Sequence, residues 1–471
     1  MDIEVDYLVI GAGATGMAFV DTLLTETDAT VAMIDDRAVP GGHWNDAYPF
    51  VRLHQSASTY GVVSKPLGSG RIEESGLNAG FEELSSGPEI THYYHALMEE
   101  TFLPTGRVTF LPLTRYHEDG RIVSTITGEV HNIRVREKTV YAHYITTSVP
   151  ATHTPNFEIS DEVACVPPNL LPNKAGSHQN FCILGSGKTA MDSIIWLLGH
   201  GCTADRITWV APRDAWFLNR VNFQTIDNKF FEDTVGGQAR AVEIYAAATS
   251  IEDLEDRMEA DGLWQRVDTS RRPTMFHSAI MTEKEVETLR QIENIVRKGH
   301  VHKLDATCMH MAEGEVKMPA DTLYVDCTAS AFASYVNFRT PVFQPNEIHV
   351  QLIRQFQPCY SAALIACIEA RIPEEEKNNY ARPAPGIDTV KDVLLVFAAA
   401  MENTLMWMSS PEISDWRENN RLDGFNELVT NADMNDAKTM EILMSILGNG
   451  EAGIANLKRL ASEAEAARAS A

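Results

Sequence analysis

The apolar positions of this chain follow two rhythms. Two short unbroken runs, Tyr7 to Ile10 and Phe181 to Leu184, each lead into a glycine-rich turn and then into apolar positions at helical spacing, in "DYLVIGAGATGMAF" and "NFCILGSGKTAMDS". A continuous apolar run predicts a strand buried on both faces, and the change of period beyond the turn predicts a helix. Each unit then meets a second apolar run, "TVAMIDDR" and "RITWVAPR", so both read as strand–turn–helix–strand with parallel strands. Helical spacing also predicts a helix over 283–298 and an almost wholly helical chain after Asp388, with Trp407 and Trp416 in the core. The Ala/Glu-rich tail from Leu457 reads as a frayed, solvated helix end.

These elements predict an α/β protein with two Rossmann-like dinucleotide-binding domains and a helical C-terminal region. The loop-rich stretch "CVPPNLLPNKAGSHQN", just ahead of the second turn, marks one boundary, and the buried run starting at Thr322 marks a weaker one. The expected organisation is a first domain over 1–165, an inserted domain over 166–320, a return to the first over 321–385, and the helical region over 386–471.

Composition narrows the function classes. The 471 residues carry a formal charge of −26, which repels phosphate backbones and argues against a nucleic-acid partner. Seven cysteines without a CxxC pair predict reduced thiols and exclude a dithiol reductase. The longest helical apolar run, Val393 to Met401, is too short to span a bilayer, and no leader is visible, so a soluble cytoplasmic protein is expected, with a homodimer left open. His92 with His95, and His300 with His302, lack a second ligand pair, so no metal site is expected.

The first turn fits G-x-G-x-x-G at Gly11, Gly13 and Gly16, with Ala14 and Thr15 between the last two. One glycine makes the tight turn, the next lets backbone approach a pyrophosphate, and the third lets helix pack on strand. The helix N-terminus adds unpaired N–H groups and a partial positive charge. Asp35, with Asp36 beside it, ends the second strand 24 residues after Gly11, where a carboxylate accepts hydrogen bonds from a ribose diol.

The second turn has Gly185 and Gly187, with Ala190 in the third place and Lys188 and Thr189 starting the helix. Its "GSGKT" is not a triphosphate loop, because Cys182 stands where that loop needs glycine. The second strand here ends at Pro212 and then Arg213, where the first ends at an acid, so a guanidinium can hold a 2′-phosphate, which favours NADPH over NADH.

Between the ribose acid and the next loop lies "RAVPGGHWNDAYPFVRLHQ". Its GG-x-W element, followed by Y-P-x-x-R, resembles the class B flavoprotein monooxygenases, the flavin-containing and Baeyer–Villiger enzymes, over about residues 5–370. The resemblance implies FAD along Gly41, Gly42, His43, Trp44, Tyr48, Pro49, Arg52 and His54, with Asp326 as a polar anchor in the return segment "TLYVDCTASAFA" and "YITTSVPATHTP" as its outgoing partner. It also implies that NADPH reduces FAD, and that a C4a-(hydro)peroxyflavin inserts one oxygen atom of O2 into a small organic substrate, by Baeyer–Villiger oxidation or N/S-oxygenation. Arg52, His54 and Arg220 are the catalytic candidates. Gln351, Arg354 and Gln357, ahead of a helix that could cap the flavin, read equally as polar contacts or surface residues. The chain departs from the family pattern at His43, where Thr is usual, and at His54, where many Baeyer–Villiger enzymes have Asp. "NKAGSHQNF", ahead of the second turn, also lacks the family's full F-x-G-x-x-x-H fingerprint. Such a divergent branch fits specialised metabolism. A flavoprotein reductase or dehydrogenase, or a non-catalytic nucleotide sensor, uses the same two folds and stays open.

Overall fold

The computed structural model describes residues 2–117, 119–145, 148–329 and 337–470. The first domain opens with β1 (Asp2–Ile10), α1 (Ala14–Glu26) and β2 (Val31–Ile34). It continues through β3 (Val108–Leu111) to the long β4 (Val130–Tyr141). β1 lies between β2 and β4, parallel to both, and β3 extends the sheet beyond β2. The strand order therefore reverses at β1, and the crevice at the carboxyl ends of β1 and β4 is where such sheets bind ligands.

The second domain repeats the plan. It contains β5 (Cys165–Val166), β6 (Asn180–Leu184), α2 (Lys188–Gly199), β7 (Ile207–Val210), β8 (Ala215–Asn219), β9 (Met275–Met281), β10 (Ile295–Val296) and β11 (Thr322–Asp326). Five of these form a parallel sheet in the order β10-β7-β6-β11-β5. Two expectations are corrected here. The helix foreseen over 283–298 covers only Glu283–Leu289, because Ile295 and Val296 pair with β7 and Asn294 hydrogen-bonds Thr208 at 2.7 Å. The run from Thr322 does not begin the return segment. It pairs with β6 along its whole length, so the boundary falls after Asp326.

The chain rejoins the first sheet through β12 (Glu347–His349), which runs parallel to β4, and then enters α3 (Pro358–Arg371). α3 has no polar face: Ala362 to Ile368 are wholly buried against Phe19 and Leu23 of α1. Each large apolar side chain buried this way contributes about 1.5–3 kcal/mol. Two long helices, α4 (Val390–Ser409) and α5 (Ala437–Ser470), end the chain. Trp407 and Trp416 are buried, as the spacing predicts. The tail is not simply solvated, because Leu457, Leu460 and Ala461 join one core with Trp216, Phe276 and Phe397. The helical region therefore packs on the inserted domain.

Candidate functional site: two nucleotide crevices and their junction

The first crevice is closed by backbone. A Cβ on Gly16 would lie 2.0 Å from the carbonyl oxygen of Gly11, which only glycine avoids. The Gly41–Gly42 loop folds back over the turn, so that a Cβ on Gly42 would come within 2.9 Å of Gly13 Cα. Asp35 is 7% exposed. Its Oδ2 accepts from Ala12 N at 2.7 Å and its Oδ1 from Arg37 N at 2.8 Å, and burial raises its pKa. Asp36 faces outward, towards Arg37 and Arg115. His43 stacks on Trp44 at 5.3 Å, and burial holds its pKa down at about 4. Trp44 donates to Tyr60 OH at 2.8 Å. Beyond β12, the buried side-chain oxygens of Gln351, Gln355 and Gln357 have no hydrogen-bond partner among the described residues. Unsatisfied buried acceptors at the carboxyl end of such a sheet fit a ligand with hydrogen-bond donors.

The second crevice is more open. A Cβ on Gly187 would meet nothing within 4 Å, whereas one on Gly185 would sit 2.8 Å from the carbonyl oxygen of Cys327. Trp209 Nε1 donates to Gly185 O at 2.8 Å and pins the turn to β7. Ser186, Trp209, Ala211 and Arg213 line one pocket beside it. Lys188 forms an ion pair with Asp192 one turn along α2. Arg213 is held by Asp388, which arrives from just before α4, at 2.8 and 2.5 Å. The strand end therefore does carry a carboxylate, contrary to the expectation from local sequence.

The loop leaving the first crevice rests on the helix that starts at the second. Tyr48 OH donates to Asp192 Oδ2 at 2.7 Å, and Phe50 stacks on Trp196 at 5.3 Å. His54 Nδ1 accepts from Ile280 N at 3.3 Å, so the ring proton sits on Nε2. Burial, helped by Lys188 and Arg220, lowers the His54 pKa to about 3, so the ring is neutral. Arg220 is fully buried. It donates to Asn78 Oδ1, Ile280 O and the His54 carbonyl at 3.0, 3.0 and 3.4 Å, and pairs with Glu285 at 2.9 Å. β9 presents both Ile280 groups across an irregularity in its pairing with β8, where Ser278 adopts φ +62°. Left-handed backbone at a non-glycine residue is strain that the surrounding packing must hold.

Of the catalytic candidates, the structure brings His54 and Arg220 together beside Lys188. Arg52 stands apart: it is exposed, ion-paired with Glu73, and donates to Leu84 O at 2.8 Å. Asp326 ends β11 in the second sheet and accepts from Thr328 Oγ1 at 2.6 Å, so it anchors that sheet's turn and not the first crevice. Thr15 donates to Ala142 O at 2.7 Å. Gln351 is buried and donates to Thr340 O, and Arg354 pairs with Asp423, so neither is a surface residue. Of "TLYVDCTASAFA", residues 330–333 lie outside the described residues, as do 146 and 147 of "YITTSVPATHTP"; no strand forms in the rest of that segment. Sequence reasoning missed Asp192, whose signal was its i+4 spacing from Lys188, and Asp388, which had none. Among the described residues no three His, Cys, Asp or Glu side chains group as a metal site requires, and no single helix is long and apolar enough to cross a membrane. All seven cysteines are free.

Two sheets whose central strands run parallel, each with a glycine turn at its reversal point, define a protein with paired dinucleotide-binding folds. The chain shares this fold with cyclohexanone monooxygenase in its open crystal form, at TM-score 0.50 and 14% identity over 95% of this chain and 98% of that one. No family model matches the sequence. The chain is 39% identical over 423 residues to uncharacterized proteins of Mycobacterium tuberculosis and Mycobacterium bovis, spanning 89% of this chain and 78% of each of theirs. It belongs to the same family as these mycobacterial proteins.

Proposed function

We propose that the protein is an NADPH-dependent FAD monooxygenase that inserts one oxygen atom of O2 into a small organic substrate, by Baeyer–Villiger oxidation or N/S-oxygenation. The observation that carries this reading is the junction: the loop that leaves the first crevice is bonded to the helix that begins at the second. When bound, FAD takes a hydride from NADPH and activates dioxygen. The bare backbone at Gly13 and Gly42 receives the FAD pyrophosphate, and the remaining lone pairs of Asp35 accept from its ribose. Gly187 and the start of α2 receive the NADPH pyrophosphate, with Arg213 aimed at the 2′-phosphate. His54, neutral and protonated at Nε2, supplies a donor at the junction without a second positive charge. Arg220 acts as a positioning residue, since it fixes the His54 and Ile280 backbones.

One observation favours a second reading. Arg220, the fully buried cation beside His54, is already committed to Asn78, Ile280 and Glu285 and is not free to stabilise an oxygen anion. That suits a reductase, which needs no such cation. The test is turnover with NADPH under isotopically labelled dioxygen, in the presence of ketone, amine and sulfide substrates. Label in an organic product supports the oxygenase. NADPH oxidation that yields only hydrogen peroxide, with no labelled product, supports the reductase.

A further inference from the structure

Asp388 carries more than a surface ion pair. Its carboxylate lies across the Arg213 fork at 2.8 and 2.5 Å and also meets His277 Nε2 at 3.1 Å. Arg213 draws the Asp388 pKa down to about 2, so it is an anion at any working pH. The neighbouring acid, Asp214, does not compete for Arg213, because Arg297 holds both its oxygens at 2.7 and 2.8 Å. Arg213 lines the same pocket as Ser186 of the second turn. The arginine of this crevice therefore faces an anion delivered from a segment 175 positions away.

Resting on the NADPH reading of this crevice, we propose that Asp388 occupies the seat of the nucleotide's 2′-phosphate and thereby sets how strongly the protein prefers NADPH to NADH. Binding of a 2′-phosphate exchanges the partner of Arg213 from carboxylate to phosphate. All three side chains are 40–51% exposed, and an exposed pair is weak, so the exchange is readily made. Asp388 then stays beside the phosphate as a like charge, because its carbonyl remains tied to Phe276 N at 3.0 Å and Thr389 caps α4 next to it. A nucleotide without the 2′-phosphate leaves the Arg213–Asp388 pair intact.

The test is calorimetric titration of the full chain, wild type and Asp388→Asn, with 2′,5′-ADP and with 5′-AMP. The expected result is that Asp388→Asn binds 2′,5′-ADP about tenfold more tightly while 5′-AMP is unchanged, a like charge at this separation being worth about that much. Relative to Asp388→Asn, Arg213→Ala/Asp388→Asn should bind 2′,5′-ADP more weakly and 5′-AMP equally, since only the 2′-phosphate uses the guanidinium. Asp388→Ser repeats the measurement should the asparagine variant prove unstable. If 5′-AMP binds all forms and 2′,5′-ADP is no tighter in Asp388→Asn, the seat is not shared and the proposal is overturned, while the crevice reading stands. If neither nucleotide binds any form, the dinucleotide reading itself fails, and this proposal with it.

Discussion

The two glycine turns begin alike and are finished differently. The first is enclosed, with Gly16 pressed on Gly11, the Gly42 backbone folded over Gly13, and its acid satisfied by backbone N–H groups two and twenty-three positions away. The second is open at Gly187, tolerates Ala190 in the third place, and its charged residue is met by a carboxylate from the helical region. A closed cradle suits a cofactor that stays, and an open one with a displaceable partner suits a cofactor that comes and goes. The shared motif fixes the turn, whereas how closely its backbone is covered is set by what packs around it.

The largest expected effect falls on the junction that joins the two crevices. Arg220→Ala leaves Glu285 and the Asn78 and Ile280 acceptors without their buried partner and should cost about 3–5 kcal/mol, read by denaturant unfolding. An unchanged unfolding midpoint would remove Arg220 from the junction. Next, Gly16→Ala drives a methyl group into the Gly11 carbonyl and should cost about 3 kcal/mol together with retention of flavin through purification. Retention of a full complement of flavin would mean that the first crevice is less closed than described.

His54 yields a pH effect. Its pKa falls from 6.5 to about 3 on folding, so between those values the unfolded chain binds the extra proton, and stability is lost as pH falls below 6.5. Melting temperature should drop across that window, and less steeply in His54→Gln; equal slopes would show that the ring titrates normally. The smallest structural effect belongs to Gly187→Ala, which has room for its methyl group. Melting temperature and flavin content should hold, while affinity for 2′,5′-ADP falls about tenfold if phosphate approaches there. Loss of stability would instead erase the contrast between the turns.

Much of this was legible in the sequence, because the features are local. The glycine turns, Asp35 and Arg213 sit at strand ends that a short apolar run announces, and Trp407 and Trp416 follow helical spacing into the core. The rest depends on tertiary partners. The apolar content of 283–298 suits a helix, yet pairing with β7 takes Ile295 and Val296 as strand. Thr322–Asp326 looks like a return strand because nothing in it names its neighbour, and only its register with Asn180–Leu184 places it in the second sheet. Arg52 lies in the Y-P-x-x-R element, but it pairs with Glu73 at the surface. The Arg213–Asp388 pair spans 175 positions, beyond any local pattern.

Whether one chain brings two dinucleotides together is decided by a single anaerobic titration. The purified protein, loaded with FAD and mixed with NADPH in the absence of oxygen, should lose its flavin absorbance with one NADPH per flavin. Failure to take up FAD, or a flavin spectrum that excess NADPH leaves unchanged, would mean that the two crevices do not hold a hydride donor against a flavin.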